Sequence, residues 1–210
     1  MNGQSRRWTM QTGFDIIPDI DMTAIVDYKA GNLTSVRLAF DALGEKTVVT
    51  SDPDVVRSAN RVVFPGVGAA RSAMENLARL GLDGAVRDAA VSGRPFLGIC
   101  LGMQILFDHT EEDGGTDLLG IIPGRVRRFP AVPGFKVPEI GWNQVSPSGA
   151  CFYFVHSYYA ETGPYTVGRT EYAGVEFSSA VRKGGIFACQ FHPEKSGRAG
   201  LALLKGWLEC

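Results

Sequence analysis

Residues 94–107 read RPFLGICLGMQILF. Pro95 to Ile99 is a short continuous apolar run of the kind a fully buried strand shows, and Leu101, Gln104, Ile105 and Phe107 suit the start of a helix. Cys100 falls on the turn between them, inside the frame Gly98-Ile99-Cys100-Leu101-Gly102. This is the cysteine counterpart of the G-x-S-x-G nucleophile elbow, in which flanking glycines permit a tight, strained turn that projects the nucleophile. The N-terminus of a helix favours negative charge, which suits a thiolate. A small buried cysteine is the bland alternative, and the two glycines weigh against it.

Working outward to the N-terminal side, strand and helix patterns alternate. Ala24 to Asp27 reads as a strand, NLTSVRLAFDALG as an amphipathic helix with Asn32 as its N-cap and Gly44 just past its end, and KTVVT as a second strand. DPDVVRSAN reads as a short helix capped by Asp52, with Pro53 at its first position. RVVFPG is a third strand, ARSAMENLARLG and LDGAVRDAAVSG are helices, and RPFLGIC is a fourth strand. Such alternation predicts a parallel sheet with helices on both faces. In open sheets of this kind, ligand sites lie beyond the carboxyl ends of the strands, where Cys100 falls.

After about residue 125 the pattern changes to strands and turns: GRVRRF, WNQV, CFYFVHSYYA, YTVGRTEYAG, VEFSSAVRKG and IFACQFH. SGRAGLALLKGWLE closes the chain as a helix with Leu201, Leu204 and Leu208 on one face. The expected architecture is one α/β domain over 23–210, with a flavodoxin-like, mostly parallel sheet flanked by helices and a strand-rich C-terminal half. Residues 1–22, MNGQSRRWTMQTGFDIIPDIDM, lack periodicity and lack the apolar stretch of a signal peptide. They read as a poorly ordered extension, or as sequence upstream of a start at Met22.

Composition excludes several classes. The 210 residues are 45% hydrophobic and 20% charged with a formal net charge of −1, so neither nucleic acid nor an anionic membrane is an expected partner. No apolar run approaches the roughly 20 residues of a membrane span. Cys100, Cys151, Cys189 and Cys210 form no C-x-x-C pair and read as free thiols in a reducing cytoplasm. The Cys and His positions are too scattered for a metal site, and no cofactor is expected.

A nucleophilic cysteine needs a proton carrier, and the chain has three histidines. His192 lies in CQFHPEKSG at the end of the last strand pattern. Glu194 is two residues on, hence on the same face if the backbone is extended, and Pro193 favours extension at His192 while ending the ladder. Cys100, His192 and Glu194 therefore satisfy the logic of a nucleophile, base and orienting carboxylate. Attack on a carbonyl also needs preorganised donors. FPGVGAA, residues 64–70, lies between a strand and a helix, so its backbone N–H groups can face the same crevice, and Leu101 N–H follows the nucleophile directly. His156 and His109 read as a packed and a surface histidine, and Cys189 as a core residue.

LGICLGMQ together with QFHPEKSG resembles the class I (triad) glutamine amidotransferases, and PGVGAA, KVPEIGWNQV and YFVHSYY resemble, within them, the glutaminase subunits of imidazole glycerol phosphate synthases. The resemblance runs from about Thr23 to Leu208. It implies hydrolysis of L-glutamine to glutamate and ammonia, with the ammonia passed to a (β/α)8-barrel cyclase subunit in a heterodimer. That cyclase makes imidazole glycerol phosphate and aminoimidazole carboxamide ribotide in histidine biosynthesis.

By this resemblance Cys100 attacks the carboxamide, His192 moves the protons and Glu194 orients His192. Gly66, Val67, Gly68 and Leu101 form the oxyanion region, and Gln104 with the backbone around Ser157 and Tyr158 holds the amino-acid end of glutamine. Gly31, Asn32, Trp142, Tyr153 and Lys195 match positions that face the cyclase. Three features depart from the family pattern: Glu139 stands where histidine is usual, Lys29-Ala30 is unusual, and the segment before Met22 is extra. They bear on the interface and its regulation. A stand-alone cysteine hydrolase, an amidotransferase subunit of another pathway and a non-catalytic module of the same fold stay open as alternatives.

Overall fold

The computed structural model describes residues 22–210, so the expectations for the segment before Met22 lie outside the described residues. The first half alternates as its periodicity requires: β1 (Thr23–Val26), α1 (Leu33–Asp41), β2 (Thr47–Thr50), α2 (Pro53–Ser58), β3 (Arg61–Gly66), α3 (Ala70–Arg79), α4 (Leu82–Val91), β4 (Phe96–Cys100) and α5 (Leu101–Gln104). Asn32 Oδ1 accepts from Ser35 N at 3.3 Å, and Asp52 Oδ1 from Asp54 N at 2.9 Å. Each satisfies an N–H that the first turn leaves without a partner. The second half is β5 (His109–Thr110), β6 (Thr116–Asp117), β7 (Arg125–Arg128), β8 (Glu139–Val145), β9 (Ala150–His156), β10 (Tyr158–Ala160), β11 (Thr166–Tyr172), β12 (Val175–Lys183), β13 (Ile186–Cys189) and α6 (Gly197–Leu208).

The main sheet runs β2-β1-β3-β4-β13-β12-β10-β7-β5-β6, with β11 on β12, and β8 with β9 form a separate hairpin. From β2 to β13 every neighbouring pair is parallel, and β12 turns the sheet antiparallel. Alternation along the parallel strands divides the core in two. Ala24, Val26, Val62, Phe64 and Phe96 pack towards α2, α3 and α4, whereas Ile25, Val63, Leu97 and Ile99 pack towards α1 and α6 through Phe40, Leu204 and Trp207. β3, β4 and β13 therefore end side by side, with Gly66 in register with Cys100 and Cys189 with Ile99. Among the described residues no helix is long and apolar enough to cross a membrane.

Several boundaries differ from the sequence expectation. The helix after Cys100 is a single turn, because the carbonyls of Ile105, Leu106 and Phe107 accept from the N–H groups of Leu119, Ile121, Ile122 and Gly120 and are not free to continue it. CFYFVHSYYA divides at Ser157 into β9 and β10, which pair in different sheets. The short strands β5 and β6 carry no periodic signal. The last strand ends at Cys189 and not at His192: Gln190 N still donates to Ser179 O at 2.9 Å, but His192 N donates to Tyr153 O at 2.9 Å, so the chain has left β12 for the β8–β9 hairpin.

Candidate active site

Cys100 closes β4 with φ 56° and ψ −113°, a backbone conformation that costs a non-glycine residue about 1–3 kcal/mol. The flanking glycines do not carry this strain, since neither has a positive φ. Their role is close approach. A Cβ on Gly102 would stand 1.9 Å from Phe64 O, and one on Gly98 would stand 2.9 Å from both Ala188 Cβ and Gly102 O. The helix turn thus presses directly on β3 and β4, and the cysteine takes the strained position itself.

His192 and Glu194 come together by a different route from the one alternation predicts. His192 is extended, at φ −102° and ψ 96°, but Pro193–Lys195 is a turn of 3-10 helix. That turn brings Glu194 Oε1 to 2.8 Å from His192 Nδ1, with both side chains 3% exposed. Ser196 Oγ donates to His192 O at 2.6 Å and accepts from Tyr153 N at 2.9 Å, which ties the turn to β9. Burial by itself pulls the imidazole down. The neighbouring Cys100 sulfur and the Glu194 carboxylate bonded to Nδ1 outweigh it, and the His192 pKa is raised to about 10.

Cys100 and His192 open on a cavity of about 350 Å³ that also receives Val67, Gly68, Leu101, Gln104, Ser157 and Tyr158. Gly66 lies beside Cys100 in the β3–β4 ladder and lines a second, smaller crevice. Gln104 Nε2 donates to Tyr158 O and to Gln190 Oε1, both at 2.8 Å. Gly31, Asn32 and Lys195 surround that smaller crevice on the far side of Val67 and His192, which Glu194 also lines. Trp142 and Tyr153 meet on the β8–β9 hairpin with ring centroids 6.2 Å apart, and Trp142 is 59% exposed. The residues assigned to the triad, the oxyanion region, the glutamine site and the partner face thus line one of these two openings or sit on the β8–β9 hairpin. A protonated imidazole beside a buried sulfur, with backbone N–H groups of a strand end nearby, can carry out acyl transfer from an amide.

Residues 24–208 match the family of class-I glutamine amidotransferases. The chain belongs to this family.

Curated relatives include the imidazole glycerol phosphate synthase subunit HisH of Herpetosiphon aurantiacus, 46% identical over 200 residues that cover 90% of this chain and 94% of the relative. The HisH subunit of Pseudomonas putida is 48% identical, covering 88% and 95%, and that of Methanothermobacter thermautotrophicus is 47% identical, covering 90% and 98%. Among solved structures, a glutamine amidotransferase superposes with a TM-score of 0.71 at 19% identity, covering 90% of this chain and 97% of its own. PurLQS from Thermotoga maritima gives 0.67 at 16%, covering 90% and 98%. These two share the fold.

In this amidotransferase chain the structure adds residues at the site that the sequence reading passed over. Gln190 is fully buried and its Nε2 donates to Cys100 Sγ at 3.6 Å. It is two residues before His192, a spacing that puts side chains of an extended segment on one face. Glu112 also lines the cavity, and its Oε2 accepts from Ala70 N at 2.6 Å, capping α3 across 42 residues of chain. Burial raises the Glu112 carboxyl above its ordinary range, against the pull of that amide. Glu139, where the family pattern has histidine, is 3% exposed and faces His156. His156 is buried as expected, and the partly exposed His109 meets Asp117 at 2.9 Å.

Proposed function

We propose that this chain is the glutaminase subunit of an imidazole glycerol phosphate synthase. It hydrolyses L-glutamine by a Cys100-His192-Glu194 triad and passes ammonia to a (β/α)8-barrel cyclase subunit, with which it forms a heterodimer in histidine biosynthesis. The observation that carries this reading is the meeting of a buried thiol with a carboxylate-oriented, raised-pKa imidazole at the mouth of one cavity. The names of the similar HisH subunits supply the pathway.

Cys100 Sγ attacks the side-chain carbonyl carbon of glutamine, and the developing oxyanion is met by N–H groups of Leu101 and of the Gly66–Gly68 segment. With a pKa near 10, His192 carries its proton at neutral pH and gives it to the leaving nitrogen, releasing ammonia and a thioester. The neutral ring then takes a proton from water as the water attacks the thioester, and glutamate leaves with Cys100 restored. Glu194 holds Nδ1 throughout. Gln104 and the backbone at Ser157 and Tyr158 receive the amino-acid end, and Gly31, Asn32, Trp142, Tyr153 and Lys195 face the cyclase. The Pro65–Gly68 strand becomes competent when the partner's nucleotide site is filled, which keeps ammonia from being released to solvent. The free cysteines fit a reducing cytoplasm.

The test is glutamate release from glutamine by the purified chain alone, and then with a cyclase subunit and its nucleotide ligand. Low activity alone, a large gain in the mixture and loss of both in Cys100→Ala are expected. High activity alone without response to the cyclase points to an independent hydrolase and overturns the assignment.

A further inference from the structure

The donor at the nucleophile is fixed by a chain of hydrogen bonds that begins at a main-chain carbonyl. Tyr158 O can only accept, so the Gln104 side-chain atom 2.8 Å from it is the amide nitrogen. The same nitrogen faces Gln190 at 2.8 Å, and a nitrogen bearing hydrogens requires an acceptor there, which is Gln190 Oε1. The other end of that amide, Nε2, is then the group 3.6 Å from Cys100 Sγ. Neither amide can flip without setting two donors or two acceptors against each other in a buried space. Gln190 is fully buried and Gln104 is 5% exposed, so water is not available to repair such a clash.

We infer that Gln190 is a further catalytic residue, donating a hydrogen bond to the Cys100 sulfur that stabilises its thiolate form, with Gln104 as the positioning residue that orients the Gln190 amide. The inference rests on the reading of Cys100 as nucleophile. Its physical basis is that a fixed N–H dipole aimed at a buried sulfur favours the charged form over the neutral one. It also gives Gln104 a role independent of substrate: both of its N–H bonds are committed inside the protein, which leaves its Oε1 as the group available to a ligand in the cavity.

The experiment uses the full chain without its partner and follows iodoacetamide labelling of Cys100 by mass spectrometry across pH. Gln190→Glu keeps an oxygen for Gln104 Nε2 and replaces the donor at sulfur with an acceptor, and Gln190→Met removes both polar ends at similar volume. Labelling about tenfold slower at pH 7, with the midpoint of the profile moved to higher pH, is expected in both. In the complex with the cyclase, kcat for glutamine should fall with KM little changed. If a Gln190 variant fails to fold, Gln104→Met is read on the same labelling, because an unanchored Gln190 amide can turn away and slow it. Labelling of these variants at the wild-type rate, with wild-type Cys100 reactive, overturns the inference and leaves the proposed function standing. A wild-type Cys100 no more reactive than exposed Cys151 and Cys210 overturns both.

Discussion

Glu139 and His156 stand opposite each other on β8 and β9, with Oε2 and Nε2 3.0 Å apart and the side chains 4% and 2% exposed. Asn143 Nδ2 donates to the other carboxylate oxygen at 2.9 Å, and His156 Nδ1 lies 2.7 Å from Tyr158 O. Rings of Phe129, Phe154 and Phe177 surround the imidazole at centroid distances of 5.2, 5.6 and 5.3 Å. The pair therefore pins the hairpin to the carbonyl that orients Gln104.

Removing one member leaves a buried polar group without its neighbour, which costs about 1–3 kcal/mol. Glu139→Ala should lower the urea midpoint of unfolding correspondingly, and Glu139→Gln, which keeps the Asn143 contact, should cost less. Equal stability of Glu139→Ala and wild type would show that the pair contributes nothing.

The raised His192 pKa sets a window of pH dependence. A cation favoured in the folded state binds its proton more tightly there than in the unfolded chain, so its stabilisation is full below about 6.5 and is lost as pH rises through about 10. Wild type should therefore lose unfolding free energy between these values more steeply than His192→Gln, by up to about 1.4 kcal/mol per pH unit. Cys100→Ala, which removes the larger of the two raising contacts, should narrow the window in an NMR titration of the ring.

Glu194→Gln replaces an acceptor for the His192 Nδ1–H with an amide of the same shape. Loss of the preferred tautomer should lower kcat by about 10²- to 10⁴-fold with little change in folding. A kcat within threefold of wild type would remove Glu194 from the proposed triad.

The glycines divide by what a methyl group would meet. Gly102→Ala, with Phe64 O at 1.9 Å, forces β3 and the Cys100 turn apart and should cost at least about 1–3 kcal/mol and most of the glutaminase activity. Gly44→Ala meets no atom within 4 Å and bears only the strain of φ 77°, about 1 kcal/mol with activity retained. Thermal unfolding and glutamate release measured on both variants check the contrast.

Trp142 is exposed and contacts Tyr153 edge-on, so its loss should barely touch the fold. Trp142→Ala is expected to keep its melting temperature within about 1–2 °C while weakening cyclase binding at least tenfold in calorimetry. Undiminished affinity would move the partner surface elsewhere.

The sequence by itself determined the parallel half and the ingredients of the site. Alternation in β1, β3 and β4 and the capping residues Asn32 and Asp52 act within a few residues, so local chemistry is enough to read them. The Gly-Cys-Gly frame and the His-Pro-Glu run are local in the same sense. Only tertiary structure decided how long the helix after Cys100 could be, because carbonyls that periodicity assigns to helix are taken by Leu119 to Ile122. It also decided that Glu194 reaches His192 across a 3-10 turn, that Glu139 points inward, and that Gln190, 90 residues along the chain from Cys100, supplies a donor to its sulfur. These depend on hydrogen bonds between distant segments, whose energies are set by burial and by the partners already taken, and neither quantity is written in the spacing of residues along the chain.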